Sequence, residues 1–319
     1  MEQCLNPYVY IVIKQKKRIS MQLKYKVLTL ALTLAIFTGC NNSGNNNGDE
    51  DKTGLDQVDN NEHSKKVRKI FYNVPSPIEM ASLIQRSGAQ YHPNILNESN
   101  NYSNYVTLGK QALNLGVYGT DLSYVRLFDQ ISLSIKYLQS IKYICDELNI
   151  PEAQGSLALS RLEENIENRD SILQIISETY SAADTYLKEN GRGNTATMII
   201  LGGWVEALYI ATNIFKPEGD LSKNEIAIRI AEQKYSLNNL IELVKSYPGD
   251  KDLQMFLDPL TNLQKAYDKV NIEYTKGDVV TDKNTKTTTI NSNAVVSITK
   301  ENINEIKKII LEIRTGIVN

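Results

Sequence analysis

Residues 194–215 read NTATMIILGGWVEALYIATNIF, and this stretch decides the fold because it is apolar on nearly all sides of a helix. Such a helix belongs either in a membrane or in the interior of a helical protein. Glu206 lies in the middle of the run, where a carboxylate costs several kcal/mol in lipid, and no strong charged anchors flank the stretch. We therefore predict a central helix surrounded by others, with Gly202 and Gly203 allowing a neighbouring helix to approach closely.

Further helices are predicted on both sides of this central helix, because apolar residues recur there at every third or fourth position. They are expected over residues 76–87, 105–115, 120–149, 157–166, 170–189, 222–247, 253–274 and 299–317. Residues 91–104 are expected to form a loop, and residues 281–298, which alternate Thr, Val, Ile and Asn, favour a short hairpin. The pattern predicts an all-α fold, an antiparallel multi-helix bundle-like domain, with an α-solenoid as the alternative.

Capping residues indicate where several of these helices begin and end. Ser222 and Glu225 have the spacing of a capping box, and Thr299 is expected to cap the last helix. Gly116 and Pro151 are expected to end the helices that precede them.

The first forty residues resemble the export signal of a bacterial lipoprotein. Two lysines precede an apolar run, residues 27–37, and Thr-Gly stands directly before Cys40. This order is typical of a signal peptide, and the run is too short to span a bilayer core of about 30 Å. We expect residues 1–39 to be removed and Cys40 to be acylated. Residues 1–20 are interpreted as sequence upstream of the true start at Met21, the alternative being an unusually long basic leader.

The stretch after Cys40 is expected to be a flexible tether. Residues 41–48 consist of Asn, Ser and Gly, and polar residues continue to residue 64, so almost nothing apolar is available for burial. Residues 65–319 are expected to form one all-helical domain. The lipid makes the membrane the first predicted partner. Asn41, where many inner-membrane lipoproteins carry aspartate, favours the outer membrane and leaves its face open.

Composition excludes several classes of function. Without the leader, 29 basic and 36 acidic residues remain, a formal net charge of −7, which argues against nucleic acid as a partner. Cys145 is the single cysteine of the predicted domain, so no internal disulfide is expected. The chain has two histidines, His63 in the tether and His92 in a loop, too few for a zinc site or a Ser-His-Asp triad. No metal and no cofactor is therefore predicted.

Glu206 and its neighbour Trp204 form the first candidate ligand site. A buried carboxylate must find a partner or change its protonation state. Glu206 is either a hydrogen-bonded structural residue near the core, or a carboxylate that contacts a ligand in a pocket floored by Gly202 and Gly203. Both interpretations place it in the interior of the domain.

A second candidate site lies where two helices are predicted to meet. Gly116 and Gly119 are interpreted as a turn, with Asp121 in the first turn of the next helix, where the helix dipole favours a negative charge. The structural interpretation is a turn with Asp121 near an N-cap, and the functional one is a polar ligand rim containing Tyr118 and Asp121. No catalytic residue is predicted.

Five stretches of the predicted domain carry a family resemblance: residues 75–81 (PSPIEMA), 112–122 (ALNLGVYGTDL), 176–180 (ISETY), 202–206 (GGWVE) and 232–234 (EQK). Together they resemble an uncharacterised family of Bacteroidetes lipoproteins of unknown function. The resemblance covers most of the domain and implies a bacterial envelope lipoprotein. It implies no activity.

Two functions of different class follow from these observations. The first is a non-enzymatic binding or assembly module in the cell envelope, whose partner is an envelope protein, a peptide or a small molecule. The second is an enzyme with a carboxylate-lined pocket in the helical bundle. The first is favoured because the shortage of histidine and cysteine removes most catalytic repertoires.

Overall fold

The computed structural model describes residues 88–151, 157–274, 278–282, 287–291 and 294–319. The chain divides into two compact units, and every described residue belongs to the second, Thr53–Asn319. The first unit, Met1–Lys52, lies outside the described residues, as do the predicted signal, the tether and the helix predicted over residues 76–87. The described part is 75% helical, which establishes the predicted all-α fold.

Nine α-helices lie within the described residues, numbered here in chain order. They are α1 (Leu108–Leu127), α2 (Ile131–Glu147), α3 (Leu157–Glu164), α4 (Arg169–Glu189), α5 (Gly193–Ile214), α6 (Glu225–Lys245), α7 (Lys251–Gln254), α8 (Leu257–Asp268) and α9 (Lys300–Val318).

The predicted central helix is α5. It packs against α1, α4, α6 and α9, which is the arrangement of a bundle-like domain around one core helix. By length and composition alone α5 is apolar enough to span a membrane, but 72% of its most apolar window is buried inside the protein. Its apolar residues are therefore explained by packing against the four surrounding helices.

A close contact in the core joins α1 to α5 through glycines. A Cβ on Gly116 would lie 2.0 Å from the backbone oxygen of Ile199, and a Cβ on Gly202 would lie 1.9 Å from that of Leu113. Neither distance is compatible with a side chain. The predicted role of Gly202 in close helix packing is confirmed, and its partner is the helix that contains Gly116.

The prediction for α1 was wrong in two respects. The helix continues through Gly116, where a helix was expected to end, and it stops at Leu127 inside the helix predicted over residues 120–149. The break falls at Asp129, whose φ of 54° takes the backbone into the left-handed region. Apolar spacing did not reveal this break because it continues in α2 and no Gly or Pro marks it.

Of two predictions for helix N-caps, one is confirmed and the other is wrong. Thr299 caps α9 as expected, in a capping box completed by Asn302. The box expected from Ser222 and Glu225 is wrong, because Asn224 is the N-cap of α6 and its side chain accepts from the amide of Ala227. Asn, like Ser, is a favoured N-cap residue, so two adjacent candidates were available.

Four short strands lie between α8 and α9. They are β1 (Asn271–Tyr274), β2 (Asp278–Asp282), β3 (Thr287–Asn291) and β4 (Ala294–Ser297). β1 pairs with β4 and β2 pairs with β3, both antiparallel. The antiparallel pairing expected within residues 281–298 is thus found in β2 and β3, whereas β1 replaces the last turn of the helix predicted over residues 253–274.

Residues 88–107 lead into α1 as an irregular segment, as predicted for residues 91–104. Two 3-10 helices interrupt it, Pro93–Ile95 and Ser99–Asn104, and the second contacts α1 and α2. We call residues 92–99 the strap, because they lie across the helices and cover the buried site described below.

Candidate functional site

All four candidate ligand residues are buried. Glu206 and Asp121 are fully inaccessible, and Tyr118 and Trp204 are at most 3% exposed. Glu206 on α5 and Asp121 on α1 are brought together in the core. Trp204 is directed elsewhere, because its Nε1 donates to Oε1 of Gln233 on α6 at 3.1 Å. The two sites inferred separately from the sequence therefore share one centre.

That centre is a two-bond ion pair between Glu206 and Arg314. The Arg314 Nε donates to Glu206 Oε2 at 2.6 Å, and its Nη2 donates to Oε1 at 2.9 Å. Burial raises the pKa of Glu206, and the two Arg314 hydrogen bonds oppose that rise. A bidentate pair of this kind fixes the relative position of α5 and α9.

Arg314 makes two further contacts that hold its guanidinium in place. Its Nη2 also donates to the backbone oxygen of Ile95 in the strap at 3.1 Å. The guanidinium carbon lies 4.2 Å from the centroid of the Tyr209 ring, in a cation–π contact. The cation is thus shared between a carboxylate, a strap carbonyl and an aromatic face.

Asp121 is the second carboxyl group of the centre. Its Oδ2 accepts from the backbone amide of Asn97 at 3.2 Å, whereas its buried Oδ1 has no donor among the described residues. Burial, reinforced by the negative charge of Glu206, raises the pKa of Asp121 well above its ordinary value. Both burial and the negative charge of Glu206 therefore favour the protonated form of Asp121.

The centre is neutral when Asp121 is protonated. One ionised carboxylate faces one guanidinium, which is the arrangement that a buried site can sustain without an uncompensated charge. Neither carboxyl group is accessible to solvent.

Tyr118 extends the site along α1. Its hydroxyl donates to the backbone oxygen of Glu98 at 3.0 Å, and its ring packs against those of Tyr105 and Tyr137. Burial raises the pKa of Tyr118, so its hydroxyl remains a donor. The predicted ligand rim is therefore occupied by the chain itself.

The predicted turn around these residues was wrong. Gly116 and Gly119 lie inside α1, and Asp121 is in the middle of that helix, away from any N-cap. Gly119 is small because the Tyr180 hydroxyl occupies the space of a side chain, where a Cβ would lie 1.6 Å from it. Tyr180 in turn donates to the Leu115 oxygen at 2.7 Å. Tertiary packing thus accounts for glycines that resembled a helix stop.

Arg314, the ion-pair partner of Glu206, was not predicted from the sequence. A signal for it exists, since Arg314 lies four residues after Ile310 and three before Ile317, on the apolar stripe of α9. A single arginine within such a stripe must meet an anion when buried. Asn97 and Tyr137, which lie in contact with the same centre, carry no comparable signal.

Two cavities among the described residues do not include the buried carboxyl groups. One, of about 400 Å³, is lined by Asp129 and residues 167–170. The other, of about 480 Å³, lies beside residues 104–107 and Lys110 at the end of α9. Neither of these two cavities brings a substrate to Asp121 and Glu206.

Within the described ranges no cluster of three or more His, Cys, Asp or Glu side chains is arranged to hold a metal ion. Comparisons of the chain with known protein families, curated proteins and solved structures give no match. Inference about function therefore proceeds from the residues and their geometry.

Proposed function

We propose that this protein is a lipid-anchored component of a bacterial cell envelope whose helical domain is a non-enzymatic binding or assembly module. The proposal of a non-enzymatic module rests on the burial and the hydrogen bonding of two carboxyl groups. Asp121 and Glu206 are fully buried and are occupied by Arg314 and Asn97. Groups committed to internal partners contribute to the structure of the domain, and of the four carboxyl oxygens only the buried Asp121 Oδ1 has no hydrogen-bond partner among the described residues.

The anchor half of the proposal rests on the sequence. A basic and apolar leader ends in Thr-Gly before Cys40, an Asn-rich tether follows, and the remainder carries a net charge of −7. The five stretches that resemble the Bacteroidetes lipoprotein family support the same assignment. The proposed location is the outer membrane, with the domain held away from the lipid by the tether.

One observation favours the enzyme alternative, namely that two buried carboxyl groups lie together and that the pKa of each is raised. Paired carboxyl groups with separated pKa values are the usual basis of acid–base catalysis. For Asp121 and Glu206 to act in this way, the strap must first leave and admit a substrate. The alternative therefore predicts turnover that Asp121→Asn abolishes.

Metabolic labelling with an alkyne fatty acid tests the anchor. We expect the wild-type chain to be labelled and to sediment with membranes, and Cys40→Ala to be unlabelled and released, because the acylated thiol is absent. Cys145→Ala is the matched control, since it removes a buried cysteine and leaves Cys40 in place. Equal labelling of wild type and Cys40→Ala contradicts the anchor.

Cross-linking in cells followed by purification from solubilised envelopes tests the binding module. We expect a reproducible partner in near-stoichiometric amount with the wild-type chain, and a reduced amount with Cys40→Ala, which is displaced from the membrane. Absence of any partner, together with turnover of a small molecule that Asp121→Asn abolishes, supports the enzyme instead.

A further inference from the structure

The strap is held in place by side chains that contact its backbone. Two strap amides donate, His92 N to Tyr124 Oη (3.1 Å) and Asn97 N to Asp121 Oδ2 (3.2 Å). Four strap carbonyl oxygens accept: Ile95 O from Arg314 Nη2 (3.1 Å), Asn97 O from Tyr137 Oη (2.6 Å), Glu98 O from Tyr118 Oη (3.0 Å) and Ser99 O from Ser140 Oγ (2.7 Å). The groups that make these bonds come from α1, α2 and α9. Residues 93–95 form a 3-10 turn and a second one begins at Ser99, so the strap is not extended throughout, but its backbone is bound by surrounding side chains as that of a peptide is bound in a groove.

One strap side chain is recognised in addition to the backbone. Asn97 is buried, and its Nδ2 donates to the Tyr105 hydroxyl at 2.9 Å and to Asn114 Oδ1 at 3.2 Å. Its neighbour Glu98 is exposed and contributes only its backbone oxygen. The backbone bonds therefore fix the direction and register of the bound chain. The bonds to the Asn97 side chain select an asparagine at that position.

The buried groups that bind the strap need a replacement if the strap leaves. Tyr137 and Tyr118 lie in the core, where a hydroxyl without a partner is costly. Arg314 and Asp121 similarly lose a strap carbonyl and a strap amide. An incoming polypeptide segment with the backbone conformation of the strap supplies the same carbonyls and amides in the same order, whereas a small molecule does not.

We propose that this groove is a peptide-binding site that the strap occupies as an internal ligand, and that a segment of a partner polypeptide displaces it by adopting the backbone conformation of the strap and placing an asparagine at the position of Asn97. The inference rests on the proposed binding module and names the chemical class of its partner. The strap thereby keeps the site closed until the partner arrives.

Covalent attachment explains why the strap occupies the groove in the free protein. A tethered segment competes at an effective concentration near the millimolar range, so a free peptide of equal affinity binds the wild type weakly. Weakening the strap without altering the groove should expose the site. Asn97→Ala does this, because it removes the two bonds from Asn97 Nδ2 to the groove, together with the bond that Asn97 Oδ1 accepts from Asn101, and changes no groove residue.

Fluorescence anisotropy with a labelled peptide of residues 90–101 tests the proposal on the full chain in detergent. We expect the peptide to bind Asn97→Ala on the order of tenfold more tightly than the wild type. Glu98→Ala is the matched strap control and should resemble the wild type, because its side chain is exposed. A peptide carrying Ala in place of its central asparagine should bind the Asn97→Ala chain more weakly.

Groove variants on α2 separate specific binding from adsorption. In the Asn97→Ala background, Tyr137→Phe removes the hydroxyl that donates to the Asn97 oxygen and should weaken peptide binding. Tyr143→Phe is the matched control, since that ring is on the same helix, is 43% exposed and lies against Tyr102 outside the strap. Equal binding by the two double variants overturns the proposal.

Two further experimental outcomes test the peptide-binding proposal. If the peptide fails to bind Asn97→Ala although limited proteolysis cuts residues 88–101 faster than in the wild type, the groove is not a peptide site. If Asn97→Ala does not fold, hydrogen exchange on the wild type replaces it, and millimolar peptide must accelerate exchange at the Asn97 amide. Capture of an envelope partner without peptide binding rejects this inference and leaves the proposed function standing.

Discussion

Arg314 and Glu206 are 108 positions apart in the sequence and are joined by two hydrogen bonds inside the core. The pair links the last helix to the central helix, and through Ile95 it also reaches the strap. One arginine thus connects three parts of the chain that are remote in sequence. Its loss is expected to affect more than one helix contact.

Glu206→Leu is expected to lower the free energy of unfolding by about 3–5 kcal/mol, because it leaves Arg314 buried without its anion. Glu206→Gln should cost less, since the amide oxygen still accepts a hydrogen bond. Denaturant unfolding at pH 7 measures both. The double variant Glu206→Leu/Arg314→Leu serves as the control and should recover much of the loss. If the double variant loses the sum of the two single losses, the two residues are not coupled.

The need for a partner at Glu206 was readable from the sequence, and the identity of the partner was not. A carboxylate among apolar residues is a local signal. The pairing with Arg314 depends on the rotation of α9 about its axis and on its position along α5, which the packing of the whole domain decides. The shared position of Asp121 could not be predicted for the same reason.

Alanine at the α1–α5 contact is expected to destabilise the domain. Gly116→Ala and Gly202→Ala each place a Cβ within about 2 Å of a backbone oxygen, so the helices must separate, at a cost of about 1–3 kcal/mol or more. Gly316→Ala on α9 is the matched control, because nothing lies within 4 Å of its Cβ. There we expect a gain of up to about 1 kcal/mol from helix propensity. Thermal unfolding should separate the two groups, and a stable Gly116→Ala contradicts the close contact.

The glycines show where local signals and tertiary packing disagree. Gly191 ends a helix with a positive φ, as the pattern indicated. Gly116 has the same identity and lies in the middle of a helix, because α5 leaves no room for a side chain there. Amphipathic spacing predicted α4, and a continuous apolar run predicted α5, each to within a residue or two, since their boundaries coincide with breaks in the apolar pattern.

Cys145 is expected to react very slowly with iodoacetamide in the folded protein. Its side chain is buried, and burial raises the pKa of the thiol to about 12. At pH 8 such a pKa leaves roughly one thiol in ten thousand ionised, and the thiolate is the reactive form. A chain with Cys4 and Cys40 replaced by alanine isolates this group. Unfolding should restore normal labelling.

The control for that measurement is on the same helix. Tyr143→Cys combined with Cys145→Ala, in the same background, places the single thiol at a position that is 43% exposed in the wild type. Its labelling should be fast without denaturant. Similar rates for the two chains contradict the burial of Cys145.

Asp121 makes the stability of the domain depend on pH in a defined direction. Its folded-state pKa is raised well above 3.8, its ordinary value, by burial and by Glu206. Above pH 3.8 the unfolded chain therefore loses a proton that the folded chain retains. Stability then falls as pH rises, until the pH passes the folded-state pKa of Asp121.

Asp121→Asn is expected to reduce this dependence, because the amide does not ionise in this pH range. The variant should be within about 1 kcal/mol of the wild type near pH 4 and should gain on it steadily toward pH 8. Denaturant unfolding across that range measures the two slopes. Asp146→Asn, at an exposed position of α2, is the control and should follow the wild-type slope. Some slope must persist in Asp121→Asn, since burial also raises the pKa of Glu206. If Asp121→Asn instead lost stability relative to the wild type as pH rose, Asp121 would be ionised in the folded protein. That result would contradict the raised pKa of Asp121.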